Sequence, residues 1–316
     1  MVMTASYEAR RSGVRSAMPM SRALRLCPDA IRVPPRFDRY GEISGQVMEV
    51  FRSVTPLVEP LSLDEAFLDV TDQLELYGRA EQLARNLKDE IKERTGITLS
   101  IGIGSNKTVA KIASDMQKPD GLVVVPPGEE ASFLEPLPVR SLRGIGPKAE
   151  AILARAGIRT VGQLAHADDA TVDRLLGSRA RQFQVMAQGN DDLPVETERK
   201  LKSVGAETTF PSDLANGPEL RQALQDMAAH VSRRLQRKGI KAGTIALKLR
   251  YADFRTISRQ QSVPNALDQK EAIADVVSRL LDKVAKPEDQ FRLLGIQGSS
   301  LVSQEESQLG LWREEG

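Results

Sequence analysis

Leu57-Val-Glu-Pro-Leu-Ser62-Leu-Asp64-Glu65-Ala-Phe-Leu-Asp69-Val70 is the stretch that decides how the first half of the chain is read. Apolar and β-branched residues alternate on both sides of an acidic centre. That pattern predicts a strand pair with Asp64 and Glu65 between the strands. In one regular strand, adjacent carboxylates would face opposite ways. At a turn they can converge on one cation. Hard oxygen ligands in small number suit Mg²⁺, which takes the rest of its shell from water and phosphate. The plain alternative is an acidic turn that meets only solvent.

Helical patterns flank this hairpin. Ile43, Val47, Val50 and Phe51 repeat at helical spacing within Arg36 to Val54. Ala80, Leu83, Ala84, Leu87 and Ile91 mark one face of a helix expected over Leu76 to Arg94. Thr98 to Ile103 alternates as a strand, Asn106 to Met116 reads as a helix, and Leu122 to Val125 as another strand. Ser21 to Leu26 reads as a short capped helix stopped by Pro28. The result is a mixed α/β layer to about Pro127. Gly128 to Gly189 is nearly all helical pattern with short Gly-containing turns. Asn190-Asp-Asp-Leu-Pro194 then opens a polar linker. Beyond it the order is strand (203–209), helix (218–238), strand (243–251), strand (256–263), helix (268–284) and strand (291–298). That is a β-α-β-β-α-β, two-layer domain.

Composition narrows the class. A length of 316 residues suggests two or three domains, and 41% hydrophobic with 28% charged residues is too apolar for a disordered chain. Lys+Arg is 44 against 43 Asp+Glu, a net charge of +1, which excludes a grossly basic binder. Locally the balance shifts: Glu196 to Gln260 holds 13 Lys/Arg against 7 Asp/Glu. Arg233, Arg234, Arg237, Lys238 and Lys241 gather around one helix end. This hints at nucleic-acid contact, with a solvated helix face as the alternative. Cys27 is the single cysteine, so no internal disulfide can form, as expected in a reducing cytoplasm. With only His166 and His230 beside it, a structural zinc site is excluded. No apolar run approaches the ~20 residues of a membrane span, and Met1 to Gly13 lacks the pattern of a secretory signal.

Four further segments carry chemistry. Thr4, Tyr7 and Arg10 offer a hydroxyl, a phenol and a guanidinium at helical-turn spacing, able to clamp a polyphosphate or simply to open a helix. Gly102-Ile-Gly104-Ser-Asn106-Lys107-Thr108 resembles a phosphate loop but lacks the Walker order, so an ATPase is rejected. It runs through Lys111 to Asp115-Met-Gln-Lys118-Pro119, where a Pro-Asp-Gly turn would fix the Lys118 ammonium beside a strand. Leu142-Arg-Gly144-Ile145-Gly146-Pro147-Lys148 resembles a helix-hairpin-helix, whose tight turn presents helix-start amides to a DNA phosphate. Gln308, Leu309, Leu311 and Trp312 form a terminal cluster that suits docking in another protein's pocket.

In this order the segments resemble the Y-family translesion DNA polymerases over essentially the whole chain. The resemblance implies an α+β right-hand polymerase: fingers (1–35), palm (36–127), thumb with helix-hairpin-helix (128–189), linker (190–202), little finger (203–302) and tail (303–316). It implies that Asp64 is a metal ligand and Glu65 a second acidic catalytic residue, with two Mg²⁺ ions. It implies that Thr4, Tyr7, Arg10 and Lys118 bind the incoming triphosphate. Gly144, Ile145, Gly146 and Lys148 would bind DNA, and Gln308, Leu309, Leu311 and Trp312 a sliding clamp. The partners implied are a primed DNA template and dNTPs, for a monomeric, cytoplasmic enzyme of DNA repair. By the same resemblance roughly 40 residues of the family pattern, with a palm strand and the Asp shared by both metals, are absent from this chain, through a start assigned too late or a real shortening. That leaves the activity of the chain as written open. The alternatives are a non-catalytic DNA- and clamp-binding protein, or a metal-dependent nuclease, each distinguishable by primer extension.

Overall fold

A computed structural model describes residues 1–73, 80–198 and 200–303. The chain divides into two compact units, Met1–Glu198 and Arg199–Gly316.

The first unit opens with α1 (Tyr7–Arg11) and α2 (Met20–Leu26). They enclose a small core of Val2, Val14 and Ala23, with Ala9, Met18 and Cys27 against it. Ser6 caps α1, accepting from the Ala9 N–H, so Thr4 lies ahead of the helix rather than in its first turn. Met20–Leu26 starts at Pro19, which puts Ser21 inside α2 and not at its cap. A proline already fixes φ near the helical value, so no side-chain cap is needed to start the helix.

Next come α3 (Phe37–Val54), β1 (Val58–Pro60), β2 (Ala66–Leu68), α4 (Ala80–Thr95), β3 (Ile101–Ile103), α5 (Lys107–Met116) and β4 (Leu122–Val124). Met48, Val50 and Phe51 of α3 and Leu83, Leu87 and Ile91 of α4 form one core with Val58. Ala66 and Leu68 of β2 and Ile101 of β3 pack on that same core. β1 and β2 pair antiparallel, Val58 with Leu68 and Pro60 with Ala66. β3 and β4 pair parallel, Ile101 with Leu122, and α5 makes the crossover between them. Among the described residues these remain separate two-stranded ladders.

The phosphate-loop reading of Gly102 and Gly104 is corrected by packing. A Cβ at Gly102 would stand 2.1 Å from the Ala110 carbonyl oxygen and 2.3 Å from the Ser114 nitrogen. One at Gly104 would meet Val109 Cγ1 at 2.7 Å. These glycines let α5 lie directly on β3.

Five short helices follow: α6 (Glu130–Leu134), α7 (Pro147–Arg155), α8 (Val161–Ala165), α9 (Asp169–Leu176) and α10 (Ala180–Ala187). Their core of Leu134, Leu142, Leu153, Leu164, Val172 and Phe183 is continuous with Val109 and Ile112 of α5. Thr160 and Gln163 form a reciprocal capping box at α8, and Asp168 caps α9.

The second unit is β5 (Ser203–Ala215), α11 (Pro218–Arg237), β6 (Ile240–Tyr251), β7 (Thr256–Leu267), α12 (Lys270–Asp282) and β8 (Gln290–Ser303). The sheet is antiparallel in the order β5-β8-β6-β7. Both helices cover one face, where Ile245, Leu247, Leu249, Leu294 and Ile296 pack against Leu224, Val231, Val277 and Leu281. The β-α-β-β-α-β order stands, with each strand longer than the periodicity indicated.

Candidate active site and nucleic-acid interface

Asp64 and Glu65 sit where β1 turns into β2. The turn is closed by the Leu61 N–H, which donates to the Glu65 carbonyl at 2.8 Å. Ser62 Oγ donates to Asp64 Oδ1 at 2.6 Å and in turn accepts from the Asp64 N–H. This local bonding fixes the Asp64 carboxylate in an exposed position. Glu65 is half-buried and faces α5, where Lys111 Nζ stands 3.1 Å from its Oε1.

Lys111 begins a chain of alternating charge. Its ammonium also pairs with Asp115 at 2.9 Å, and Asp115 pairs with Lys118 at 2.6 Å. Burial pulls the Lys111 pKa down, but Asp115 and Glu65 more than offset it, and the net shift is upward. Burial likewise pushes Asp115 up, and Lys118 and Lys111 bring it below the ordinary Asp value. Lys111 therefore stays cationic and Asp115 anionic at neutral pH. The fold thus joins one predicted acid, Glu65, to one predicted triphosphate ligand, Lys118. The Lys118 turn is itself anchored by Lys88, which donates to the Leu99 carbonyl at 2.6 Å and the Asp120 carbonyl at 2.9 Å.

Tyr7 and Arg10 lie together on α1, the guanidinium 5.7 Å from the ring centroid. Arg10 Nε donates to the Ala5 carbonyl, which orients the side chain across the first turn. Among the described residues no hydrogen bond or ion pair joins Thr4, Tyr7 or Arg10 to Asp64, Glu65 or Lys118. The fold brings Tyr7 and Arg10 together on α1, and connects Glu65 to Lys118 through Lys111 and Asp115.

The motif at Ser105 to Thr108 does something the sequence did not suggest. Thr108 N–H and Oγ1 both bond Asp191 Oδ2, at 3.2 and 2.7 Å. Asn106 Nδ2 donates to the Gly189 carbonyl at 2.7 Å. Lys107 pairs with Glu59 at 2.8 Å and donates to the Pro194 carbonyl at 2.7 Å. Glu59 also accepts the Glu196 N–H at 2.9 Å. The first half of the polar linker is thus strapped to β1 and the start of α5.

In the helical region Gly144 has φ +100°, the left-handed turn expected between two helices. Ile145 is buried and anchors the hairpin. Gly146 is the N-cap of α7, Pro147 follows, and no side chain caps the helix start. The first amides of α7 thus have no cap from the N-cap side chain, an arrangement that suits an anion. Lys148 is exposed beside them, with no ion-pair partner among the described residues.

The second unit supplies a surface that sequence reading missed. The register puts Thr244, Ala246, Lys248 and Arg250 of β6 on the sheet face away from the helices, aligned with Ser262, Gln260, Ser258 and Thr256 of β7. Gln297 bonds Ser203, and Lys248 bonds Glu207, across the same face. It is a polar face of hydroxyls, amides and small residues, with Lys248, Arg250 and Glu207 among them. By contrast, part of the basic cluster has a local role. Arg234 donates to the Gly205 carbonyl, and Arg234 and Arg237 sit in the last turn of α11, where cations favour the helix dipole. Gln308, Leu309, Leu311 and Trp312 lie outside the described residues.

Asp64 and Glu65 suit a hard divalent cation. Both are acceptor-only groups, Asp64 exposed on the turn and Glu65 half-buried beside it with Lys111 on its Oε1, and one or two carboxylates plus phosphate oxygens is the set Mg²⁺ commonly takes. Among the described residues no group of three His, Cys, Asp or Glu side chains is placed to hold a metal.

Comparison with known proteins bears on this geometry. The impB/mucB/samB family model matches residues 1–115, its C-terminal domain residues 201–311, and the helix-hairpin-helix motif of that family residues 127–158. DNA polymerase IV of Alkalilimnicola ehrlichii is 45% identical over 302 residues, covering 96% of this chain and 85% of that protein. The chain belongs to the impB/mucB/samB family of Y-family DNA polymerases. DNA polymerase IV of Halorhodospira halophila is 43% identical, covering 97% of this chain and 86% of that one. Among solved structures, a Y-family DNA polymerase chimera of Dbh and Dpo4 superposes with a TM-score of 0.84 at 27% identity, covering 94% of this chain and 86% of the chimera. An insertion ternary complex of Dbh DNA polymerase gives 0.67 at 27% identity, covering 96% and 88%. Y-family membership requires a divalent metal for nucleotidyl transfer, which the acidic turn fits.

Lys111 and Asp115 stand in the quoted motif without a role assigned to them, and the structure shows that they link Glu65 to Lys118. Their i,i+4 spacing, followed by Lys118 at i+3 from Asp115, was a legible signal on a helix end. Lys88 and Glu59 had no such signal, because their partners are distant in sequence.

Proposed function

We propose that this chain is a template-directed DNA polymerase that extends a primer with dNTPs, including across damaged template. The observation that carries the proposal is the Asp64-Glu65 turn, tied through Lys111 and Asp115 to Lys118, in a chain of Y-family membership. The reading assigns fingers, palm, thumb and little finger to residues 1–35, 36–127, 128–189 and 203–302. Residues 190–202 link the last two.

Asp64 and Glu65 would hold Mg²⁺ together with oxygens of the triphosphate. The chemistry such an ion supplies when bound is charge, favouring the primer 3′-oxygen as alkoxide and offsetting the departing pyrophosphate. A second ion calls for oxygens beyond these two carboxylates. Lys118 would meet the triphosphate. Its exposed pair with Asp115 contributes ~0–1 kcal/mol, so phosphate oxygens can compete for the ammonium. Arg10 and Tyr7, oriented by each other and by Ala5, would clamp the phosphates from the fingers, with Thr4 beside them. Lys111 offsets the negative charge that Glu65 and Asp115 would otherwise direct at an incoming triphosphate.

DNA would be held by Gly144, Ile145, Gly146 and Lys148 through its backbone, and by the polar sheet face of the little finger. Backbone contacts carry no sequence information, which suits a polymerase that must accept any template. A fingers region with so small a core offers few contacts to a nascent base pair. Discrimination then rests on pairing itself, and the expected result is low fidelity. A sliding clamp taken by the tail would raise processivity through effective concentration. The monomeric state belongs to the same reading.

Primer extension on a primed template with Mg²⁺ and dNTPs tests the proposal. The expected outcome is dNTP-dependent, template-matched growth. DNA bound without growth, or shortened without dNTPs, would replace the polymerase reading with a binding protein or a nuclease.

A further inference from the structure

We propose that Arg179, outside the matched helix-hairpin-helix motif, is a DNA phosphate ligand of the thumb, seated against the hairpin by Gly144 and Phe183. The inference rests on the proposed binding of DNA by that hairpin.

Three observations converge. The Arg179 guanidinium lies against the hairpin backbone: a Cβ at Gly144 would stand 2.5 Å from its Nη2 and 3.3 Å from its Cζ. The absence of a side chain at Gly144 therefore does two things. It permits the left-handed turn at φ +100°, and it opens the seat that the guanidinium fills. Secondly, the guanidinium stacks over the Phe183 ring at 4.6 Å from its centroid. Phe183 is buried in the thumb core, so the platform is rigid. Thirdly, Arg179 is exposed and has no ion-pair partner among the described residues. A cation resting on the Phe183 ring and the hairpin backbone, and without an ion-pair partner among the described residues, is placed to meet an anion arriving from outside. The uncapped start of α7 and the free Lys148 belong to the same hairpin. The ligand chemistry they share is a backbone phosphate, which a planar guanidinium takes with two parallel donors. A purely structural arginine would instead be expected to bond a carbonyl or a carboxylate of its own chain.

The test is a salt titration of binding to a fluorescently labelled primed duplex, using the whole chain. Each neutralised phosphate contributes about 0.9 to the slope of log K against log[salt]. Arg179→Ala and Arg179→Gln should each lower that slope by about 0.9 and weaken binding about five- to ten-fold near 0.1 M salt. Arg179→Lys should keep the slope, because the charge remains, and lose part of the affinity, because an ammonium cannot stack on Phe183 in the same way. Gln fills the seat beside Gly144 without charge, so a fold defect from an emptied site would separate it from Ala. Lys148→Ala serves as the comparator for the hairpin itself. If it lowers the slope and the two neutral Arg179 variants do not, the Arg179 assignment is overturned and the hairpin reading stands. If none of the three lowers the slope, both are overturned.

Discussion

At the scale of single residues the account turns on charges that neutralise one another. Glu59 is the clearest case. Burial pushes its carboxyl up, but the Lys107 ammonium and the Glu196 N–H more than reverse that, and its pKa is lowered. The side chains of Glu59 and Lys107 are only 16% and 15% exposed, so solvent screens the pair little. Removing one partner leaves a poorly solvated charge behind. Glu59→Gln should therefore cost roughly 2 kcal/mol of stability, read from the urea midpoint at pH 7. The pH dependence has a definite sign. A lowered folded-state pKa gives stability that is present above the unfolded carboxylate value and is lost as pH falls through the folded one. Glu59→Gln should flatten that acid limb, and an unchanged limb would remove Glu59 from it. Asp115 is lowered by Lys118 and Lys111 and belongs to the same window. This pairing was only partly legible in the sequence. Lys111, Asp115 and Lys118 are neighbours on one helix end, whereas Glu59 and Lys107 are brought together by the hairpin and by α5, which no local pattern encodes.

At the scale of elements, glycines show how closely backbone packing is set. Gly102 has α5 directly over it, so Gly102→Ala forces helix from strand. A loss of about 3 kcal/mol is expected, at the upper end for overpacking. Gly41 is in the interior of α3, and a Cβ there meets nothing within 4 Å. Gly41→Ala should stabilise by about 0.5–1 kcal/mol, through helix propensity and a less flexible unfolded chain. Thermal melts of the two variants should shift in opposite directions. A Gly102→Ala chain as stable as the parent would contradict the close contact of α5 and β3. Element type and order were legible because amphipathic periods are strong in α3, α4 and the β-α-β-β-α-β block. Strand ends were less so. β5 resumes pairing at Leu214 and Ala215 after a break in register beyond Thr209, and the β8 ladder continues to Ser303, past the alternation that marked them. The start of α2 was misplaced because Ser21 offered a cap signal two residues after a proline that had already begun the turn.

At the scale of the whole molecule, a net charge of +1 means that DNA affinity comes from local seats rather than a general field. The candidate seats are the hairpin with Lys148, and the polar face of the second unit's sheet. Their chemistry differs. The hairpin would meet phosphate as charge and amide dipole, so its variants should change the salt slope. The sheet face offers mainly hydroxyls and amides, so Gln297→Ala should weaken duplex binding with little change in slope, measured by the same titration. The order of motifs was legible because it follows the chain. The polar face was not, because its residues come from strands far apart in sequence and align only through register.

The central claim is that the Asp64-Glu65 turn drives nucleotidyl transfer. Single-turnover incorporation of one matched dNTP into a primed template, with Mg²⁺, measures it directly in the parent chain and in Asp64→Ala. The account predicts incorporation by the parent and a loss of about a hundredfold or more in Asp64→Ala, with DNA affinity retained. Equal rates in the two chains, or no incorporation by the parent while it binds the same DNA, would contradict it.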